Sequence, residues 1–449
     1  MSYSLPQSVQ DLIKQFRHSR FEIYAVGGAV RNMLLGKLSN DWDFTTNAKP
    51  EEIQKLFPDS FYDNSFGTVG IPIKDNDGNT ESVYEVTTFR SDRNYSDSRH
   101  PDSVAWGSSL QEDLLRRDFT INAIVYDGKS IIDPLNGQED LKNKLVKAVG
   151  DPQKRFQEDA LRMMRAVRIA TELGFAIDES TFDAIKKNAP LLSKISGERI
   201  RDELIKILSS DYPSDGIMVL KNSTLLDSII PEFVICFGVG QISPKRHHTL
   251  DVGTHLIESL RNCPSKDPIV RLATLLHDIG KPQTRKEIDG VITFYNHEIV
   301  GAGIVRRILD RLHFSKKDRE KIYRLVRFHQ FTVDERQTDS ALRRILRNVG
   351  VENMDNMLAL RTGDRLGGGA RETSWRLELF KKRLIEVQII PFSVQDLKIS
   401  GYDVMKELNI KPGPQVGKIL NEIFEKVEKG ELKNEREVLL KYIQSNQHF

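Results

Sequence analysis

Asp41 and Asp43 are the residues of this chain best suited to chemistry. They lie in the stretch VGGAVRNMLLGKLSNDWDFTT, from Val26 to Thr46. Alternation along a strand sends residues two apart to the same face. Both carboxylates are therefore expected side by side, with Trp42 and Phe44 turned towards a core. Two neighbouring anions repel unless a cation lies between them. Hard divalent ions such as Mg²⁺ take carboxylate oxygens together with substrate phosphates. Gly27 and Gly28 let backbone N–H groups approach a phosphate closely, and the start of a following helix adds a favourable dipole. Arg31, one turn further on, offers charge-assisted bonds to a phosphate oxygen.

The elements that must position these groups follow from local pattern. An amphipathic helix over 7–20 leads into a strand at Ile23–Val26, a short helix at Ala29–Leu35 and a second strand carrying Asp41 and Asp43. PEEIQKLF (50–57) has a proline start and early acids, which predict another short helix. Phe66–Lys74 and Glu81–Phe89 alternate like paired strands about a KDNDGN turn. Glu85, in the second of these, reads equally as a third metal-facing carboxylate or as an exposed strand acid. Residues 90–111 are polar and aperiodic, the pattern of an irregular functional lid or of disorder. EDLLRRDFTINAI (112–124) begins as a helix and merges into an apolar strand, Ala123–Tyr126. Beyond about residue 150 the pattern is almost wholly helical.

This order predicts an α/β N-terminal domain, a mixed β-sheet with helices, followed by an all-α body. At 449 residues the chain exceeds one core and divides into several modules. The expected boundaries are 1–150, a helical neck at 151–235, a third domain at 236–372 and a helical tail at 373–449. Two cysteines, Cys236 and Cys263, build no disulfide framework, which suggests a reducing cytoplasm. No apolar run approaches membrane-spanning length, so no membrane partner is expected. The net charge of +2 leaves nucleic-acid binding to local basic patches. The sequence sets no oligomeric state.

In the helical part, residues 155–175 read as one helix. Leu161, Met164 and Val167 form an apolar stripe; Asp159, Arg162, Arg165 and Arg168 form a polar one beside it. Histidines gather further on: His247, His248, His255, His277 beside Asp278, His297 and His329, with Asp364 after them.

Taken in order, GGAVR, LLG and DWD resemble the signature of the class II nucleotidyltransferases, the family of CCA-adding enzymes and bacterial poly(A) polymerases. The resemblance implies that 1–150 is a nucleotidyltransferase palm. It also implies that Asp41 and Asp43 hold Mg²⁺, and that CTP and ATP are added to the 3′ end of tRNA. In the family, an RRDFTINA segment contacts the nucleotide sugar and phosphates. Carried over, Arg117 joins Gly28 and Arg31 in holding phosphate, with Asp118 and Asn122 as ribose partners.

EDALR (158–162) is similar to the family's nucleotide-selecting motif, in which Asp159 and Arg162 replace a template base. Cytosine and adenine both offer an exocyclic amine beside a ring acceptor, which suits a carboxylate and a guanidinium. Uracil and guanine would turn a carbonyl towards Asp159, a mismatch that rejects a substrate by on the order of 10⁴-fold in a desolvated site. Glu158 is expected to hold Arg162, and Arg165 and Arg168 to reach the ribose or triphosphate. ISGERIRDELIKIL resembles a family segment that braces this helix.

The histidine region resembles an HD domain, a helical metal-dependent phosphohydrolase fold. The resemblance implies the ligands His255, His277, Asp278 and Asp364 and a second divalent metal: Mn, Ni, Fe or Mg. In the family such domains act as phosphatases or cyclic phosphodiesterases on damaged 3′ ends. The tail, by resemblance, holds the tRNA elbow. The leading expectation is thus a CCA-adding nucleotidyltransferase with an all-α body that includes an HD domain. The alternatives are a poly(A) polymerase, an enzyme adding only CC or only A, and an HD phosphohydrolase whose front half merely binds RNA. The 90–111 loop favours full CCA addition.

Overall fold

The computed structural model describes residues 5–62, 67–75, 77–93, 103–106, 109–241, 250–331, 333–387 and 394–446. They form two compact units, Met1–Val234 with Asp310–Phe314, and Ile235–Leu309 with Ser315–Phe449. No helix among the described residues is long and apolar enough to cross a membrane.

The first unit opens with the helix Gln7–His18, which lays Val9, Leu12, Ile13 and Phe16 onto a mixed sheet. In chain order the strands are β1 (Ile23–Val26), β2 (Asp43–Thr46), β3 (Phe61–Tyr62), β4 (Thr68–Lys74), β5 (Thr80–Thr88), β6 (Arg90–Arg93), β7 (Ser103–Trp106), β8 (Val125–Tyr126) and β9 (Ile131–Ile132). Seven form one sheet in the order β3-β4-β5-β2-β1-β8-β9. β2 lies antiparallel to β1 and parallel to β5, so Asp43 faces Val26 on one side and Glu85 on the other. Beneath it, Trp42 and Phe44 are buried as expected, and Phe44 also packs on Tyr84.

Local geometry departs from the sequence pattern at informative places. Only Asp43 is in the strand; Asp41 precedes it, exposed. A turn explains this: Trp42 Nε1 donates to the Ser39 carbonyl at 3.0 Å and holds residues 39–42 outside the ladder. Segment 90–111, expected to be aperiodic, contains the antiparallel pair β6–β7. Its residues 94–102 and 107–108 lie outside the described residues, as do His247 and His248. The two-residue edge strand β3 has no counterpart in the pattern.

The expected single helix over 155–175 is two helices, Pro152–Glu158 and Leu161–Leu173. Asp159 takes an extended conformation, and its Oδ1 accepts from the Leu161 amide at 3.0 Å. A short carboxylate that captures a backbone N–H competes with helix continuation. The second helix buries Met163, Met164 and Val167 among the helices Gly197–Ser209 and Pro213–Asn222.

In the second unit the helices Val252–Arg261, Pro268–Leu276 and Met354–Gly367 meet closely. Gly363 and Gly367 permit the approach: a Cβ on either would sit 2.5 Å from the Ser259 backbone. Asp364, between them, is thereby brought against His255. The helices Gly401–Leu408, Pro414–Glu428 and Arg436–Ser445 share a separate core around Val404, Ile423 and Leu439.

Replacing Phe44 with alanine should cost about 3–5 kcal/mol, the usual range for a buried phenylalanine. Equilibrium denaturant unfolding of the full chain measures it.

Candidate functional site

The first site is built where β1 ends and β2 begins. Gly27 follows β1 with φ 77°, and a Cβ there would lie 3.2 Å from Asp43 Oδ2. Only glycine takes that backbone conformation readily and leaves the carboxylate undisturbed. Asp43 is pushed up to about 6, first by burial and then by the charges of Asp41 and Glu85, with Arg117 and Arg165 pulling it back. Three carboxylates thus share one field at the head of β2. Such a cluster suits a divalent cation, which removes the repulsion that a proton otherwise relieves. Glu85 is the functional residue that pattern reasoning left open. A lone acid in the run VYEV was its only signal, because alternation does not reveal that β5 pairs in parallel with β2.

Cations surround this cluster. Arg31 is buried, and Nη1 donates to Asn122 Oδ1 at 2.7 Å while Nε and Nη2 reach Asn32. Among the described residues it forms no ion pair, and burial lowers its pKa. Arg117 pairs with the fully buried Asp113 at 3.3 Å, and its Nε has no hydrogen-bond partner among the described residues. Asp113 also binds Arg116 at 2.6 Å and accepts from Thr45 on β2 at 3.1 Å.

Asp118 pairs with Arg165 at 2.6 Å and accepts from Asn122 at 3.2 Å. Burial raises its pKa, but Arg165 outweighs that and holds it at about 2. Residues 113–122 therefore tie the sheet to the helix that starts at Leu161.

The pair expected to read a base lies at the start of that helix. Arg162 Nη1 binds Glu158 at 2.6 Å, as the sequence reading expected, and Nη2 donates to the Arg116 carbonyl at 3.1 Å. Asp159 Oδ2 accepts from Arg199 at 2.9 Å, so the ISGERIRDELIKIL segment does brace it. Arg168 engages Glu203 at 2.7 Å and Glu172 at 3.1 Å, while Arg165 is committed to Asp118.

The second site gathers the four residues expected there. His255 Nε2 lies 3.5 Å from Asp278 and 3.2 Å from Asp364; His277 Nε2 lies 3.4 Å from each. The structure adds two histidines left outside that set: His297 Nε2 is 3.1 Å and His329 Nε2 3.5 Å from Asp278 Oδ1. Both stood in the histidine-rich stretch, and only folding shows where they turn. Nδ1 of His277, His297 and His329 faces the carbonyls of Thr274, Phe294 and Val326 at 2.7, 2.8 and 2.7 Å.

A carbonyl only accepts, so each Nδ1 carries a proton, and in the neutral ring each Nε2 offers a lone pair. Three lone pairs aimed at buried carboxylate oxygens are stable only with a positive charge among them. His277, buried but bounded by Asp278 and Asp364, is accordingly raised to about 10 in the absence of metal. Burial raises the pKa of Asp278, but Lys281, at 2.5 Å, and His277 hold it well below the usual range. Imidazole and carboxylate donors in this arrangement fit a divalent transition metal or Mg²⁺.

Folded Asp43 (about 6) holds its proton more tightly than a carboxyl at its ordinary 3.8. Between these values the fold binds the extra proton, so this group costs stability as pH rises through that window. Metal-free Asp43→Asn should therefore be more stable than the parent at about pH 7.5, by about 1–2 kcal/mol, with the gap closing near pH 4. Thermal unfolding in chelator at both pH values checks this.

Comparison with known proteins places the chain. The poly A polymerase head domain family matches residues 23–147. The probable RNA and SrmB-binding site of polymerase A matches 174–236, and tRNA nucleotidyltransferase domain 2 matches 294–443. The CCA-adding enzyme of Ligilactobacillus salivarius is 31% identical over 96% of this chain and 94% of its own length. That of Pediococcus pentosaceus is 33% identical over 97% and 98%. The match to the Geobacillus kaustophilus enzyme, 45% identical, spans about half of each chain, 48% of this one and 52% of that one. The structure of the Bacillus stearothermophilus CCA-adding enzyme in complex with CTP superposes with a TM-score of 0.73 at 28% identity, covering 99% of this chain and 98% of that one. With near-full-length identity above 30% to such relatives, the chain belongs to the family of CCA-adding enzymes.

Proposed function

We propose that the chain adds C, C and A in turn to the 3′ end of tRNA, taking CTP and ATP without a nucleic-acid template. The observation that carries this reading is the 113–122 segment. Through Asp113 and Thr45 it joins β2, the strand that carries Asp43, to Arg165 by way of Asp118 and to Arg162 by way of the Arg116 carbonyl. This frame supports a reading in which phosphoryl chemistry and base choice are held together. Family membership implies dependence on a divalent metal; the finer proposal is Mg²⁺ held by Asp41 and Asp43, with Glu85 beside them. When bound, such ions lower the pKa of the attacking hydroxyl and neutralise the leaving pyrophosphate.

The chain's own groups do the rest. Gly28 leaves room for phosphate against the backbone, and Arg31 brings a guanidinium that forms no ion pair among the described residues. Arg117 adds a second cation beside Asp43. The 3′ oxygen forms its bond to the α-phosphorus as the bond to pyrophosphate breaks, and the hydroxyl proton is lost. Asp159 accepts from the exocyclic amine of cytosine or adenine, and Arg162 donates to the ring nitrogen. Arg199 and Glu158 hold the two side chains in place, while Arg165 and Arg168 brace the helix from the same face. The four domains run 1–150, 151–235, 236–372 and 373–449, the last gripping tRNA. Its substrate sets the enzyme in the cytoplasm.

A specific observation favours a further activity: the Nε2 atoms of His277, His297 and His329 directed at Asp278. We infer a metal-dependent HD phosphohydrolase site with His255, His277, Asp278 and Asp364 as ligands, and with His297 and His329 extending the set. Mn, Ni, Fe or Mg fits the donors.

Incubating the protein with tRNA that ends at the discriminator base, Mg²⁺ and each triphosphate should give stepwise C, C and A; an unlimited A tail would point to a poly(A) polymerase. Asp43→Asn should reduce addition at least roughly 10³-fold. Asp159→Ala should relax exclusion of UTP and GTP by on the order of 10²-fold or more, read as the ratio of kcat/KM values.

A further inference from the structure

A cavity of about 650 Å³ opens beside the second site and is lined by Asp278, His297, His329 and Asp364 on one side and Arg361 and Phe331 on another. Its volume suits a small organic ester. The two basic side chains that reach it differ in kind. Lys281 is buried and spent, bound to Asp278 at 2.5 Å and to Gln241 at 2.8 Å. Arg361 sits one helical turn before Asp364 and has no ion-pair partner among the described residues. Its Nε is buried without a hydrogen bond.

The Arg361 guanidinium lies over the face of Phe331, 4.7 Å from the ring centroid, and that ring stacks on Phe380 at 5.3 Å. Aromatic backing fixes the plane of a guanidinium and leaves its edge for an oxyanion. The other acid of the cavity, Glu298, is met by Arg327 at 3.7 Å. Among the described residues no carboxylate touches this half-buried guanidinium, although Asp364 acts on it at a distance. Once a cation neutralises the carboxylates it faces, the guanidinium is costly unless a ligand brings negative charge.

We propose that Arg361 is the phosphate-gripping residue of the second site, and that this site takes a phosphate ester whose oxyanion lies between the guanidinium and the histidine–aspartate cluster. The proposal rests on the HD reading above. Bidentate contact with the fork of Arg361 would place phosphorus against the cluster, and the remainder of the ester would fill the cavity over Phe331. The residue is one that neither the H…HD…D spacing nor the ligand set points to.

The test uses the full chain and inorganic phosphate. After loading with Mn²⁺, metal per chain is measured, and phosphate binding is followed by calorimetry and by paramagnetic broadening of the ³¹P signal. The parent should bind phosphate close enough to manganese to broaden it. Arg361→Gln should weaken binding at least about tenfold with manganese content unchanged, and Arg361→Lys should recover part of it. Equal phosphate affinity in the parent and a folded R361Q, or binding without broadening in a metal-loaded parent, overturns the assignment. A parent that retains no manganese, and no nickel, iron or magnesium when loaded with each in turn, overturns the HD reading itself. In that case metal-free binding decides the role of Arg361 by the same comparison: a tenfold loss in R361Q supports it, and equal or absent binding overturns it.

Discussion

Anionic repulsion is the constraint on which the rest of this structure depends. At the head of β2, Asp43 is held between Asp41 and Glu85 in a partly buried place, and its proton affinity rises accordingly. A sheet does not collect carboxylates in this way for stability, since like charges on adjacent strands cost energy. The surrounding arginines offset part of that cost. They are not simple counter-ions, because Asp113 and Asp118 take up much of their charge. The outcome is a region with alternating signs in which Arg31 forms no ion pair among the described residues. Such a region is prepared for a ligand that is itself both anionic and cation-bound.

Residues 113–122 show how one short segment serves several ends. Asp113 anchors it to β2 through Thr45, Asn122 meets Arg31, and Asp118 meets the helix after Ala160. Buried, charge-assisted bonds of this kind fix orientation more than they add stability. The Asp159 break acts in the same sense. Taking that residue out of the helix frees its second carboxylate oxygen from the local backbone and hands it to Arg199.

Much of the fold was legible because it rests on local pattern. β1, the helix at Pro50–Leu56 and the β4–β5 hairpin follow from alternation and turn residues, and the burial of Trp42 and Phe44 follows from the period of a strand. The groups of residues that meet in the fold were legible where close spacing or a known signature carried them, as with GGAVR–DWD and HD. What stayed hidden was non-local. The parallel pairing that brings Glu85 to Asp43 joins residues forty-two apart, and the turn of His297 and His329 onto Asp278 depends on how separate helices pack. The one misread helix failed for a local reason: a capping aspartate inside an otherwise periodic run is invisible to periodicity.

His277 and His329 each close a helix, Pro268–Leu276 and Lys316–Phe328. Carbonyl ends of helices carry negative potential, so two such termini converge on the same buried point. Cation preference at that point is thus written partly into where the helices stop, before any side-chain ligand is counted. It also makes the site sensitive to length: one residue inserted within either helix would swing its terminal imidazole by about 100° and point the lone pair away. Helices that end on a histidine of this cluster are free to change composition along their flanks, but not their count of residues.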